Sequence, residues 1–220
     1  MAAGYSTDLV VFDLDGTLLE GDSELSWFQF LFEKGIISAK DLQTTKSYFH
    51  DYENGQLNFD DYMEHILHPL SANPSEMMLL LRSEYLQCLS KKLRPLLLKR
   101  LEWHRDQGHR ILLITATHDF LATPVASLLK IQDLICTEAE RIGSRFTGKV
   151  NGIPAFREGK INRLRDWLRE KPFALDSGWA YGDSRNDLPL LTQVKHPVAV
   201  EPDPQLFAYA ISHGWEVLVG

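Results

Sequence analysis

Asp13 and Asp15 sit two residues apart at the end of the apolar run Val10-Val11-Phe12, with Gly16 and Thr17 directly after them. Alternate side chains of a strand share a face, so the two carboxylates start out pointing the same way. Like charges that close are costly unless a cation or a shared proton lies between them. Asp-Gly is also an ordinary turn signal after a strand, so the pair gains meaning from a second cluster downstream. There Trp179-Ala180-Tyr181-Gly182-Asp183 again ends an apolar run in Gly-Asp, and Asp187 follows at the start of the helical pattern Leu188-Pro189-Leu190-Leu191. A capped helix start explains Asp187 alone; it does not explain the same strand-end acid twice. Oxygen donors of this kind suit a hard divalent cation such as Mg²⁺, which needs only one or two direct carboxylates beside a substrate phosphate.

Two further signals lie between these clusters. Ile111-Leu112-Leu113-Ile114-Thr115 is an apolar run ending in Thr, and Lys160, in Arg157-Glu158-Gly159-Lys160, opens a helical pattern. With them the chain resembles the haloacid dehalogenase-like (HAD) superfamily, whose four motifs appear here in order and span nearly the whole sequence. The resemblance implies that Asp13 attacks phosphorus to form an aspartyl-phosphate, and that Asp15 protonates the leaving alkoxide and then activates water. Thr115 and backbone amides would hold the non-transferred phosphate oxygens. Lys160 and Mg²⁺ would neutralise charge around the phosphoryl group. By the same resemblance the metal is held by Asp13, the Asp15 carbonyl and Asp183, with Asp187 ordering its waters or Lys160. An Asp two residues after the nucleophile marks the phosphatases and phosphomutases of the superfamily, not its dehalogenases or phosphorylated ion pumps. The implied activity is a Mg²⁺-dependent phosphomonoesterase acting on a small polar phosphorylated metabolite. A phosphomutase carries the same second Asp and is the alternative within the superfamily. A non-enzymatic phospho-ligand module is disfavoured by the six intact motif residues.

The acids need strand ends to carry them. Residues 8–13, 110–115, 133–137, 178–181, 197–200 and 216–219 read as strands, and 96–107, 120–130, 161–169, 188–193 and 204–213 as helices. This alternation predicts an α/β fold, doubly wound about a mostly parallel sheet, with ligands at the strands' C-terminal ends. All four motifs fall there. Residues 145–153, with Gly148 and Gly152, read as a small β-excursion. From Glu24 to about Lys92 the pattern is helical: Leu25, Phe28, Leu31 and Phe32 form an apolar stripe, which Gly35 ends. Residues 40–52, 58–67 and 75–93 continue as helices, broken at Asn54-Gly55 and Ser71-Ala72-Asn73-Pro74. The expected division is a catalytic core of residues 1–19 and 94–220, with residues 20–93 inserted as a helical cap.

That insertion resembles the first-type (C1) cap of the phosphoserine phosphatase-like branch, subfamily IB, which excludes water by closing over the site. Leu57-Asn58-Phe59 resembles a cap segment of that branch in which the Phe lies near the substrate, and Asp22 matches a cap-entrance acid that meets the substrate ammonium. The likeness breaks at Ile66, where that branch has an Arg for the substrate carboxylate; His65 and His68 lack Arg's planar fork. An amine-bearing phosphate without a carboxylate is implied, such as histidinol phosphate, with phosphoserine as the competing substrate. His118 is a candidate for touching the phosphate or leaving group. His104 and His109 read as surface or helix-end residues, and Arg185 as reaching solvent or substrate. One of Trp27 and Phe28 can line the substrate entrance, although core packing is the simpler role.

Composition sets limits. With 220 residues, 44% hydrophobic, the chain can bury a sizeable core in one domain plus an insertion. Its net charge of −7 argues against nucleic acid or an anionic membrane as partner. Cys88 and Cys136 give neither a metal-ligand spacing nor a disulfide framework. No signal-peptide pattern or membrane span is read, so the expectation is a soluble cytoplasmic protein binding a small phosphate ester. Oligomeric state is not legible.

Overall fold

A computed structural model describes residues 7–169, 171 and 173–219. Residues 1–6, where a leader would begin, and Gly220 lie outside the described residues. Seven strands form one sheet: β1 (Thr7–Phe12), β2 (Arg110–His118), β3 (Asp133–Ile142), β4 (Arg145–Asn151), β5 (Phe173–Gly182), β6 (His196–Val200) and β7 (Glu216–Leu218). Their order is β4-β3-β2-β1-β5-β6-β7. Every neighbouring pair is parallel except β3 and β4, which is the doubly wound, mostly parallel sheet expected.

β1 lies at the centre, and its sequence suits a place covered on both faces. Leu9, Val10, Val11 and Phe12 are all fully buried, and a strand covered on both faces reads as an unbroken apolar run. Between β1 and β2 come α1 (Ser23–Glu33), α2 (Ala39–Glu53), α3 (Phe59–Ala72), α4 (Ser75–Leu89) and α5 (Pro95–Asp106). After them come α6 (Asp119–Leu128), α7 (Glu158–Arg169), the short α8 (Leu188–Leu191) and α9 (Pro204–Ser212). Val10 and Phe12 face a core shared with α1, α3, α4, α5 and α6. Leu9 and Val11 face a second core with α7, α8 and α9.

The chain leaves the sheet for α1 and returns to α5 through one paired crossing. Leu19 bridges Leu93 in antiparallel fashion. Beside it the Glu20 N–H donates to the Lys92 carbonyl at 2.8 Å, and the Arg94 N–H to the Leu18 carbonyl at 2.9 Å.

Three elements run beyond their expected ends. α3 continues through Pro69 to Ala72, because Ile66, Leu67, Pro69 and Leu70 are all buried and packing offsets the hydrogen bond that proline removes. β3 runs five residues past Thr137, because after leaving β2 it folds back as a hairpin with β4, turning at Gly143 (φ +62°). The β-excursion read at 145–153 is β4 of this hairpin, and it leans on α3: a Cβ at Gly148 would meet Ser71 Oγ at 3.0 Å. β5 begins five residues early, at Phe173. Trp27 and Phe28 are both fully buried, since α1 is flanked on two sides: Trp27 meets Tyr85 edge-on at 5.1 Å, and Phe28 meets His65 at 5.1 Å. Among the described residues no helix is long and apolar enough to cross a membrane.

Candidate active site

β1 stops at Phe12, and Asp13 and Asp15 fall in the turn that follows it rather than on the strand itself. The Asp13 N–H still donates to the Tyr181 carbonyl at 3.0 Å, which holds the turn against the end of β5. Two glycines let the acid clusters close on each other. Gly16 has φ +72°, and a Cβ there would lie 2.0 Å from Asp183 Oδ2; a Cβ at Gly182 would lie 2.7 Å from the Asp187 Cβ. As a result Asp13, Asp183 and Asp187 each offer a carboxylate oxygen within 4.8 Å of the others.

Lys160, near the start of α7, is buried and donates from Nζ to Asp13 Oδ1 at 2.6 Å and to Asp187 Oδ1 at 2.8 Å. Asp187 Oδ2 also accepts from the Ser184 N–H and hydroxyl, each at 3.3 Å. Burial pushes the Asp13 carboxyl up to about 7 against the pull of Lys160. Asp183 is pushed well above the carboxylate range by burial, then by Asp187 and Asp13. Burial alone would lower Lys160; the Asp13 and Asp187 carboxylates outweigh it and hold the ammonium well above its ordinary value. Three clustered acids thus have one lysine among them, bonded to Asp13 and Asp187. Donors that are all carboxylate oxygens, with charge still uncompensated, fit a hard divalent cation.

Asp15 belongs to a separate network. Its Oδ1 accepts the Ser23 N–H at 2.7 Å, and its Oδ2 accepts the Ser23 hydroxyl at 3.1 Å and the Thr117 hydroxyl at 2.5 Å. Thr115 donates its hydroxyl to Thr117 Oγ1 at 3.1 Å and accepts the Thr117 N–H at 3.1 Å. Burial raises Asp15 above the ordinary aspartate value, against the hydrogen bonds from Thr117 and Ser23.

Above these groups is a cavity whose upper wall comes from the inserted helices: Asp22, Glu24, Tyr48, Phe49, Tyr52, Leu57, Phe59 and Tyr62. Phe156, from the loop before Lys160, completes it by stacking on Phe59, with ring centres 4.4 Å apart and planes 9° apart. The wall is clasped to the sheet side. Tyr52 Oη meets Ser184 Oγ at 3.4 Å, and Arg157, held at φ +48°, donates to the Gly55 carbonyl at 3.2 Å. Arg185 lies so close to Gly55 that a Cβ there would sit 1.9 Å from its guanidinium; it is half-buried and lines a second, neighbouring cavity with Asp15, Asp22 and Asp183.

Asp13, Asp15, Thr115, Lys160, Asp183 and Asp187 therefore converge on one cavity, with Asp22 and Phe59 in its wall. Asp22 also caps α1, accepting the Leu25 N–H at 2.8 Å. His118 does not join them. β2 runs on through His118 and turns its ring toward Phe120, where it is fully buried with neither ring nitrogen hydrogen-bonded, and burial pushes it down to about 4. His104 is not a surface residue either: it is fully buried, with Nε2 2.8 Å from Tyr181 Oη and Nδ1 2.9 Å from His109 Nδ1. Sequence reasoning missed Ser23, Glu24, Thr117, Tyr62 and Phe156. Only Thr117 carried a signal, since it shares a strand face with Thr115.

A family model described as haloacid dehalogenase-like hydrolase matches residues 10–192. A histidinol-phosphatase from Neisseria meningitidis serogroup C is 37% identical over 218 residues, which cover 96% of this chain and 98% of that protein. The phosphoserine phosphatase SerB1 of Mycobacterium tuberculosis is 27% identical over 222 residues, covering 96% of this chain and 70% of that one. Among solved structures, a protein of unknown function from Bordetella pertussis Tohama I superposes with a TM-score of 0.89 at 32% identity, covering 97% and 99% of the two chains.

Proposed function

Because the chain belongs to the haloacid dehalogenase-like hydrolases and is a hydrolase of phosphoric monoesters, we propose that it works with Mg²⁺ through a phosphoryl group carried on Asp13, and that histidinol phosphate is its substrate. One observation carries the mechanism: Lys160 ties Asp13 to Asp187 on one side, while Asp15 is held apart by Ser23 and Thr117. The first acid is thereby oriented as a nucleophile and the second left as a proton carrier.

In the first half-reaction a carboxylate oxygen of Asp13 bonds to phosphorus and the ester oxygen departs, taking a proton from Asp15. In the second, Asp15 takes a proton from water, the water oxygen bonds to phosphorus, and Asp13 leaves as free carboxylate with inorganic phosphate. Thr115 and backbone amides would hold the oxygens that do not change partners. Lys160 keeps Asp13 in place and offsets its charge. Asp13, Asp183 and the Asp15 carbonyl would hold the metal, with Asp187 behind them. When bound, Mg²⁺ supplies charge neutralisation at the phosphoryl oxygens. Residues 20–93 act as the cap, shielding the site from bulk water, and residues 1–19 with 94–220 as the catalytic core.

The substrate reading draws on the Neisseria relative and on the wall itself. Lys160 is the one basic side chain among the described residues lining the cavity, so a substrate carboxylate finds no partner there. That disfavours phosphoserine, the substrate class that the mycobacterial relative's name suggests. The unpaired thiols of Cys88 and Cys136 suit the reducing cytoplasm. The test is phosphate release from histidinol phosphate and phosphoserine, with Mg²⁺ and with EDTA, for the wild type and Asp13→Asn. Metal-dependent release that favours histidinol phosphate and vanishes in Asp13→Asn is expected. Near-normal turnover by Asp13→Asn would overturn the aspartyl-phosphate mechanism, and equal turnover of phosphoserine would overturn the substrate.

A further inference from the structure

Glu24, the second residue of α1, is a buried carboxylate for which the phosphoryl chemistry has no use. It is 4% exposed and lines the cavity. Its Oε2 accepts the Tyr62 hydroxyl at 2.5 Å and its Oε1 accepts the His118 N–H at 3.0 Å. These two donors come from α3 and from the end of β2, so the carboxylate is fixed from both sides. A carboxylate has about four acceptor positions, and each oxygen keeps one free. Among the described residues neither Lys nor Arg pairs with it. The nearest group able to carry a positive charge is His118 Nε2 at 3.8 Å, and burial keeps that ring neutral at ordinary pH. Asp22, itself pushed well above the carboxylate range by burial and then by Asp15 and Glu24, offers it no positive charge.

A buried acid with two well-placed donors and no cation has its charge uncompensated within the protein. The same cavity is lined by the stacked Phe59 and Phe156, with Tyr48, Phe49 and Tyr62, an aromatic wall that favours a ring or a cation. On the phosphatase reading, we propose that Glu24 determines specificity by pairing with a cationic nitrogen on the alcohol portion of the substrate, while the Phe59–Phe156 wall takes the flat part of the same molecule. The ligand class is therefore an amino alcohol phosphate carrying a ring. Glu24, and not Asp22 with its oxygen engaged at the α1 N-terminus, is the principal anion. Burial raises the Glu24 carboxyl to about 7, and a bound cation would draw it back to the charged form.

The test compares kcat/KM for histidinol phosphate, which carries an ammonium and an imidazole, with that for p-nitrophenyl phosphate, which carries no cation. Wild type, Glu24→Gln and Tyr62→Phe are measured with Mg²⁺ in the full chain. Gln can accept from the His118 N–H and donate to Tyr62 Oη, so the fold keeps its hydrogen bonds while the charge is lost. Glu24→Gln should lower the histidinol phosphate to p-nitrophenyl phosphate ratio about tenfold or more, chiefly through KM; Tyr62→Phe should lower it less. A tether that merely holds the cap would depress both esters alike and leave the ratio in place. Ratios within about threefold of wild type in both variants would overturn the proposal, and so would a wild type that hydrolyses both esters without preferring the cationic one. A wild type that releases phosphate from neither ester takes the phosphatase reading down as well.

Discussion

Replacing Lys160 by Met keeps most of the apolar stem of the side chain and removes its charge. In the wild type the ammonium sits 2.6 Å from Asp13 and 2.8 Å from Asp187, buried with both. Deleting one member of a buried ionic group leaves the rest uncompensated, at a cost of about 3–5 kcal/mol. For a chain of this size, about 1 kcal/mol moves Tm by roughly 2–4 °C, so a fall of about 6–20 °C is expected in EDTA. Mg²⁺ can replace part of the missing positive charge, so adding it should return more Tm to the variant than it adds to the wild type. Activity should not recover in step. A fixed cation at the developing charge is worth about 10²–10³ in kcat, and Lys160 also sets the direction of the Asp13 oxygen. The assays are phosphate release under saturating Mg²⁺ and thermal unfolding with and without the metal. A kcat/KM within about tenfold of wild type would refute the placement of Lys160 at the reacting group.

A second expectation concerns pH. Burial holds His104 down at about 3 against an unfolded value near 6.5, so the fold refuses a proton that the unfolded chain accepts. The resulting stability is fully present above about pH 6.5 and is lost at about 1.4 kcal/mol per pH unit as pH falls toward 3. His104→Phe should flatten the slope of unfolding free energy between pH 6.5 and 5 by about that amount, and an unchanged slope would contradict the buried neutral ring. A third concerns the sheet. Gly178 sits in β5 where its register with β1 shifts, and a Cβ there would lie 2.0 Å from the Leu9 carbonyl oxygen. Gly178→Ala should therefore destabilise by about 1–3 kcal/mol while the folded fraction still hydrolyses its ester; an unmoved Tm would show that the strands part more easily than the structure implies.

The motif acids were legible because their chemistry is local. Each lies at the end of an apolar run, and strand–helix alternation was enough to bring those ends to one edge of the sheet. Lys160 was found through the resemblance, as the lysine at a helix start that the third motif of the family requires. What escaped depended on distant partners. Glu24 looked like any acid in a first helical turn, and only Tyr62, 38 residues on, and the backbone of His118 reveal which way it faces. His104 has the sequence neighbours of an end-of-helix residue, but Tyr181, 77 residues away, covers it. His118 failed for the opposite reason: closeness to Thr115 in sequence suggested closeness to phosphate, but strand alternation turned its ring into the core. α3 runs past its expected end at Leu67 because burial of Pro69 and Leu70, which no local pattern weighs, holds its last turn against the core.

The paired crossing at Leu19 and Leu93 has a consequence for how such a chain can diverge. Everything between those two residues departs from the sheet and rejoins it at a single seam, stitched by the Glu20–Lys92 and Arg94–Leu18 backbone hydrogen bonds. Backbone bonds are indifferent to side-chain identity, so the seam survives almost any rewriting of the sequence it encloses. Provided Ser23, which holds Asp15, is kept, substitutions, insertions or exchange of the rest of the segment leave β1 and its acids in register. A lineage can thus alter which alcohol is recognised without re-solving how phosphorus is attacked, and a protein engineer can cut and splice at the same seam.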